Sequence, residues 1–109
     1  MNLAENGPDD GGLMVLENSL PLYNEYFETH GHLAPEGGWE WKDSYHFAQQ
    51  DQLQWFYDRG CTWKKVEAGP GDVILWDSRC IHYGAAARGD RPRVATCKPT
   101  LILLTGGRC

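Results

Sequence analysis

The chain has 109 residues, of which 41% are hydrophobic, 23% charged and 12% aromatic, and its formal net charge at pH 7 is −5. This length and composition fit one globular domain and argue against a disordered chain, a coiled coil or a collagen-like repeat. No apolar run approaches the ~18 residues of a membrane span, and the basic residues are too few and too scattered to bind double-stranded nucleic acid. We therefore expect neither a membrane nor a nucleic acid as a partner.

The charge is unevenly distributed. Residues 1–60 hold 11 acidic and two basic residues, a net charge of −9, whereas residues 61–109 hold four acidic and eight basic residues, a net charge of +4. The basic second half suits a small anionic ligand, and scattered solubilising charge is an equally good interpretation.

The cysteines are far apart in sequence, at Cys61, Cys80, Cys97 and Cys109. A structural zinc site usually includes a close pair of cysteines, which is absent here. Disulfides accompany secretion, and the acidic, glycine-rich residues 1–12 do not resemble a signal peptide. We expect reduced, partly buried thiols and a cytoplasmic protein.

The first half combines one strand with two short helices. Leu22, Tyr23, Tyr26 and Phe27 share one helical face, Pro21 suits a first helical turn, and Gly31 suits a stop. In chain order we predict a loop over residues 6–12, a buried strand over 13–16, a helix over 21–29, an irregular loop over 30–41 and a helix over 48–58.

The second half is rich in short strands. The pattern predicts strands over residues 61–66, 73–76, 79–83 and 93–97, with a tight turn over 69–72 and a loop over 85–92. We expect Trp76 in the core, and Asp72 and Asp77 as caps of backbone N–H groups. The expected fold is mainly β with short helices, a sandwich or barrel over residues 1–97 followed by an atypical tail over 98–109.

Two chemically useful side chains fall in this half. A turn and an apolar strand deliver His82 to the end of a second strand, and Arg93 follows eleven residues later. A neutral imidazole is a good ligand for Fe(II), and a guanidinium presents a planar fork to a carboxylate. A histidine and an arginine facing one sheet interior are what a metal site with an acidic cosubstrate requires.

Three segments resemble the phytanoyl-CoA dioxygenase-like branch of the Fe(II)/2-oxoglutarate-dependent oxygenases, in particular its fungal members. Residues 6–16 resemble the strand after the first metal motif, residues 53–60 the helix before the turn, and residues 69–96 the distal metal and cosubstrate strands. The resemblance implies a double-stranded β-helix, which is a jelly-roll or cupin-like barrel. It also implies Fe(II) and 2-oxoglutarate as cofactors and hydroxylation of a small organic substrate.

The resemblance also implies roles for single residues. His82 is the distal iron ligand, and Arg93 binds the C5 carboxylate of 2-oxoglutarate, with Arg91 as the fallback. Both arginines are odd-numbered and would share a face, so strand alternation does not separate them. The alternatives are a hydrogen-bonded core histidine at position 82 and a surface ion pair between Arg93 and either Asp90 or Asp77.

The chain departs from the family pattern in three places. The family holds iron with two histidines and one carboxylate, and its first two ligands come from an H-x-D or H-x-E motif, which does not occur in this sequence. Residues 18–20 read Asn-Ser-Leu where the family often has Gly-Ser-His, and the family continues with β-structure after Thr96. His30 and His32 could chelate a metal, although solvated loop histidines are the simpler interpretation.

These departures predict a fragment, a partial double-stranded β-helix that lacks its N-terminal strands and is inactive alone. Its open sheet edges are expected to promote self-association. The alternatives are a non-catalytic β-domain that binds a small carboxylate or a partner subunit, a truncated product without a function of its own, and, more distantly, a metal-binding cupin.

Overall fold

The structure is a computed structural model that describes residues 1–38, 40, 44–47 and 49–96. Its elements in chain order are β1 (Gly12–Glu17), a 3-10 turn (Leu20–Leu22), α1 (Tyr23–Thr29), a second 3-10 turn (Gly31–Leu33), α2 (Gln50–Tyr57), β2 (Thr62–Lys65) and β3 (His82–Ala85). Among the described residues no helix is long and apolar enough to cross a membrane.

The apolar strand predicted over residues 13–16 is the centre of the sheet. β2 and β3 pair with β1 on its two sides, both antiparallel, which gives the order β2-β1-β3. Val15 lies opposite Lys64 of β2 and His82 of β3. Residues directly opposite each other point to the same face of a sheet, so the register decides which side chains meet.

One face of the sheet is covered by the helices. Leu16 projects from this face and packs with Tyr26 of α1 and Phe56 of α2, and all three are at most 1% exposed. The aromatic rings of Tyr26 and Phe56 are 4.8 Å apart between centroids. The opposite face, which carries Val15, Lys64 and His82, has no helix against it among the described elements.

Both helices lie where the apolar spacing predicts them. Pro21 is in the 3-10 turn that leads into α1, where its missing N–H is not needed. The Gln52 side-chain oxygen accepts a hydrogen bond from the Gln49 N–H (3.3 Å), as in a capping box. The chain leaves α2 through Gly60, whose φ of +84° is favourable only for glycine.

The prediction of a strand over residues 73–76 is wrong. Val73 is 63% exposed, Leu75 77% and Trp76 45%, so this segment is neither a strand nor part of the core. A strand needs a neighbour for its N–H and C=O groups, and no described segment pairs with this one along its length.

Two further strand predictions need correction. The strand expected over 79–83 begins later, at His82, because residues 77–80 form a turn in which Asp77 accepts a hydrogen bond from the Arg79 N–H (2.9 Å). Of the strand expected over 93–97, the described residues form only an isolated bridge between Asn2 and Ala95. The described residues end at Thr96. The boundary predicted between the domain (1–97) and the tail (98–109) therefore lies outside them, as does Cys97.

The caps predicted at Asp72 and Asp77 are confirmed. Asp72 accepts a hydrogen bond from the Gly69 N–H (2.7 Å) in the tight turn over 69–72. Cys61 and Cys80 are free thiols, and Cys61 is buried, which raises its pKa. Cys109, like Cys97, lies outside the described residues.

Candidate functional site

His82 is the first residue of β3 and is exposed, so it is not a core histidine. Its Nδ1 lies 2.7 Å from the carbonyl oxygen of Cys80. Since a carbonyl only accepts hydrogen bonds, Nδ1 is the donor, and in the neutral imidazole the lone pair is therefore on Nε2. The ring also lies 5.7 Å from that of Trp76, between centroids. His82 therefore offers one imidazole nitrogen that is suited to a metal ion.

Arg93 lies at the start of β1, beside Gly12. A Cβ at Gly12 would be 3.1 Å from the Arg93 Cδ, so only glycine lets the arginine approach this closely. Arg93 forms an ion pair with neither Asp90 nor Asp77, the two partners considered from the sequence. Asp77 pairs instead with Arg79 (2.7 Å). Among the described residues Arg93 has no ion pair, and its exposed guanidinium is available to a carboxylate.

Arg91 has a different environment. Its Nη2 and Nε donate to the two carboxylate oxygens of Asp10, at 2.5 and 3.0 Å. Asp10 is buried and also accepts a hydrogen bond from the Gly7 N–H (2.7 Å). The Arg91 hydrogen bonds hold the pKa of Asp10 below its usual value. Arg91 thus ties residues 7–10 to the segment after β3.

Lys65 is a member of this group that the sequence analysis missed. Its Nζ donates to the side-chain oxygen of buried Asn6 (2.6 Å), and Asn6 in turn donates to the Gly11 carbonyl (2.6 Å). Burial lowers the pKa of Lys65, and the nearby charge of Arg93 lowers it further. Lys65 and Asn6 are 59 residues apart, and the bridge between Asn6 and Ala68 brings them together, so no local pattern reveals their contact.

A cavity of about 150 Å³ is lined by two cationic residues, Lys65 and Arg88. Its floor is Met14, flanked by Lys65 of β2 and Tyr83 of β3, which are the residues opposite Met14 in the sheet. Asp10 also lines it, and Arg91 neutralises that charge. The cavity is smaller than a typical ligand pocket, so its size fits a carboxylate-sized group.

The described residues do not complete an iron site. They contain no group of three His, Cys, Asp or Glu side chains arranged to hold a metal ion. His30 stacks on Tyr26 at 4.2 Å, its Nδ1 lies 2.8 Å from the Tyr26 carbonyl, and its ring is 6.0 Å from that of His32. His82 is therefore a single candidate ligand, and it does not fit an iron centre by itself.

Comparison with known proteins gives the class of protein. Residues 2–95 match the phytanoyl-CoA dioxygenase (PhyH) family, and the chain belongs to this family. The resemblance seen in the sequence is thereby confirmed. The family is one of Fe(II)/2-oxoglutarate-type dioxygenases.

A relative in Aspergillus versicolor, "Ava biosynthesis cluster protein O", is 40% identical over 96 residues. The match covers 87% of this chain and 31% of that protein, so the chain spans about a third of the length of its relative. No solved structure matches the chain.

Proposed function

We propose that this chain is part of a non-haem Fe(II)/2-oxoglutarate-dependent dioxygenase that hydroxylates a small organic substrate. The observation that carries the proposal is the family match over residues 2–95. His82 is the proposed iron ligand, and Arg93 is the proposed anchor of the C5 carboxylate of 2-oxoglutarate, with Arg91 as the fallback.

The contacts of the two arginines support Arg93, rather than Arg91, as the anchor of the 2-oxoglutarate carboxylate. Arg91 is held by Asp10 on both carboxylate oxygens, whereas Arg93 has no ion pair among the described residues. The half-buried Lys65 adds a second positive charge near Arg93. An anion bound here would relieve the repulsion between these two cations.

The register of β1 and β3 separates His82 from Arg93. His82 lies opposite Val15 of β1, and Arg93 lies beside Gly12, three residues earlier on the same strand. At roughly 3.3 Å per residue, these positions are about 10 Å apart along β1. Because successive strand residues alternate between faces, His82, opposite Val15, and Arg93, beside Gly12, lie on opposite faces of the described sheet, and the described part does not bring them into one site.

The chain supplies only part of such a site. On this proposal the other iron ligands come from a longer polypeptide or a second chain, and the sheet is part of a double-stranded β-helix. The unpaired apolar segment around Val73 and Leu75 supports a missing sheet partner, since its side chains are exposed in the described part. The chain alone is then inactive.

Calorimetric titration with 2-oxoglutarate tests the anchor. Arg93→Ala is expected to weaken binding roughly 10-fold or more, because charge-assisted hydrogen bonds are lost. Arg79→Ala is the control, since Arg79 is an exposed arginine that pairs with Asp77. If the folded wild type binds no 2-oxoglutarate, or binds it as tightly after Arg93→Ala, the anchor assignment is wrong.

An anaerobic titration with Fe(II) and 2-oxoglutarate tests the metal ligand. A charge-transfer band that His82→Ala abolishes would show that His82 holds iron in a site completed within or between chains. Without a band, the dioxygenase proposal holds only for a longer polypeptide.

A metal-independent β-domain that binds a small carboxylate is the second candidate. It is favoured by the pair of cations, Lys65 and Arg93, in a described chain that has no three-ligand metal group. It predicts that chelators and His82→Ala leave 2-oxoglutarate binding unchanged, whereas the dioxygenase proposal predicts tighter binding with Fe(II).

A further inference from the structure

The sequence contains a single Asn-Gly pair, Asn6-Gly7. In such a pair the backbone nitrogen of the glycine can attack the side-chain carbonyl carbon of the asparagine and expel its amide. Glycine favours this reaction because it has no Cβ to hinder the attack. Asparagine is accordingly one of the residues that are chemically unstable in proteins at high temperature. The structure shows what holds each reacting group.

The attacking nitrogen is held by a carboxylate. The Gly7 N–H donates to Oδ2 of Asp10 (2.7 Å), and Asp10 is buried and paired with Arg91. The Gly7 nitrogen has to give up this charge-assisted hydrogen bond before it can lose its proton and attack. Asp10 therefore protects the nitrogen of the Asn6-Gly7 peptide bond.

The side chain under attack is held as well. Asn6 is 1% exposed, its Nδ2 donates to the Gly11 carbonyl (2.6 Å), and its Oδ1 accepts from the Lys65 Nζ (2.6 Å). Its backbone N–H and C=O are both hydrogen-bonded to Ala68, at 2.9 and 3.0 Å. A reaction between two groups needs close approach in one aligned geometry, and these bonds oppose the rotation that would reach it.

We propose that Asn6-Gly7 is a deamidation site that these contacts keep closed in the folded chain and that opens when residues 6–10 unfold. In the open state the Gly7 nitrogen bonds to the Asn6 Cγ, the Cγ–Nδ2 bond breaks, and ammonia leaves with the Gly7 proton. Water then opens the cyclic imide at either of its carbonyls, which leaves an aspartyl or isoaspartyl residue at position 6. The reaction consumes water and needs no oxidant or reductant.

Deamidation places a carboxylate beside two cations. The Asn6 Oδ1 and the Arg93 Nε lie 3.1 and 3.2 Å from one point, the position that a Cβ would take on Gly12. The same Oδ1 accepts the hydrogen bond from Lys65. A carboxylate at position 6 thus neutralises Lys65 and Arg93 and competes with any anion bound there. This consequence rests on the proposed function, which assigns Arg93 to 2-oxoglutarate, whereas the deamidation itself does not.

Peptide mapping by mass spectrometry of the full chain, incubated in mildly alkaline buffer, measures conversion at Asn6. Conversion in native buffer is expected to be slower than in guanidinium chloride by roughly 10-fold or more, because the hydrogen bond to the Asp10 carboxylate has to break first. Folded Asp10→Ala is expected to convert faster than wild type. Asp9→Ala is the matched control, since it removes the exposed neighbouring carboxylate and should convert as slowly as wild type.

A second substitution shows whether the conversion uses the Gly7 nitrogen. Gly7→Ala in the Asp10→Ala background is expected to slow conversion at Asn6, because the added Cβ hinders the attack. In the wild-type fold this Cβ would come no closer than 3.6 Å to Arg91 or Asp10, so the substitution fits.

Three results would each overturn the proposal: no conversion at Asn6 in guanidinium chloride, equal rates in native buffer and in guanidinium chloride, or a folded Asp10→Ala that converts as slowly as wild type. The first two are measured on the wild type, so the test stays decisive if Asp10→Ala does not fold.

Calorimetric titration with 2-oxoglutarate tests the consequence for anion binding. Asn6→Asp is expected to bind roughly 10-fold more weakly than wild type, and Asn18→Asp, which adds the same charge at an exposed position, is expected to bind like wild type. Equal binding by Asn6→Asp and wild type would overturn this consequence. A wild type that binds no 2-oxoglutarate would instead contradict the anchor in the proposed function, and the deamidation rates would be unaffected.

Discussion

Two arginines that are two residues apart in sequence have different environments. Arg91 is paired with buried Asp10 through both carboxylate oxygens, whereas Arg93 lies beside Gly12 with its guanidinium exposed. The sequence alone treats them as equivalent, since both are odd-numbered and both flank Pro92. The difference arises from Asp10, which is 81 residues away from Arg91 in sequence.

The ion pair between Asp10 and Arg91 predicts a dependence of stability on pH. The hydrogen bonds from Arg91 lower the pKa of Asp10 from 3.8 in the folded state. The stabilisation is therefore present above about pH 4 and is lost as the pH falls through the lower, folded-state pKa. In Asp10→Asn we expect a smaller free energy of unfolding at neutral pH and a shallower decline on acidification, measured by urea denaturation.

Asp9→Asn is the matched control, because Asp9 is the exposed neighbour of Asp10. Some decline will remain in Asp10→Asn, since hydrogen bonds from Arg79 lower the pKa of Asp77 to about 2. An acid decline that is the same in Asp10→Asn and wild type would show that the Asp10 pair does not stabilise the fold.

At the scale of elements, the sequence predicted what depends on local pattern. β1 is a short apolar run, and α1 and α2 have apolar residues at helical spacing, so each is recognisable by itself. Residues 73–76 have the same strand-like composition as β1, but they lack a partner in the described chain. Composition indicates that a segment can be a strand, and pairing decides whether it is one.

The candidate site was predictable only in part for the same reason. His82 and Arg93 stand out because the segment that holds them resembles the distal metal and cosubstrate strands of the family. Lys65 did not stand out, since its partner Asn6 is 59 residues away and their contact depends on the bridge between Asn6 and Ala68. Such a contact follows from backbone pairing between distant parts of the chain.

The packing of the helices on the sheet predicts that two aromatic residues contribute very differently to the free energy of unfolding. Phe56 of α2 is 1% exposed, in contact with the core around Leu16, whereas Trp76 is 45% exposed. Phe56→Ala should lower the free energy of unfolding by about 3–5 kcal/mol. Trp76→Ala should change it by less than about 0.5 kcal/mol, as is usual for surface positions.

Chemical denaturation followed by circular dichroism measures both variants in the same buffer. If Trp76→Ala is as destabilising as Phe56→Ala, then Trp76 is buried in solution, and the sequence-based expectation of a core tryptophan was correct after all.

At the scale of the whole molecule, large apolar side chains remain on the surface. Val73, Leu75, Trp76, Tyr83 and Val94 are each at least 44% exposed. Contiguous exposed apolar surface in a small protein promotes association. The double variant Val73→Ser/Leu75→Ser is therefore expected to be more soluble than wild type, with an unchanged melting temperature.

Solubility limits from ammonium sulfate precipitation and melting curves from circular dichroism measure these two properties. Thr62→Ser is a suitable control, because it changes an exposed residue without removing a large apolar side chain. A drop in melting temperature in the double variant would mean that Val73 and Leu75 contribute to a packed core.

The central position of β1 has a consequence for biosynthesis. β1 leaves the ribosome first among the strands, yet β2 begins at residue 62 and β3 ends only at residue 85. While residues 18–61 are synthesised, the apolar strand at the middle of the sheet has neither neighbour, and pairing across such long separations is slow. The nascent chain therefore exposes its apolar central strand during this interval. We expect a chaperone that acts during synthesis to bind at β1.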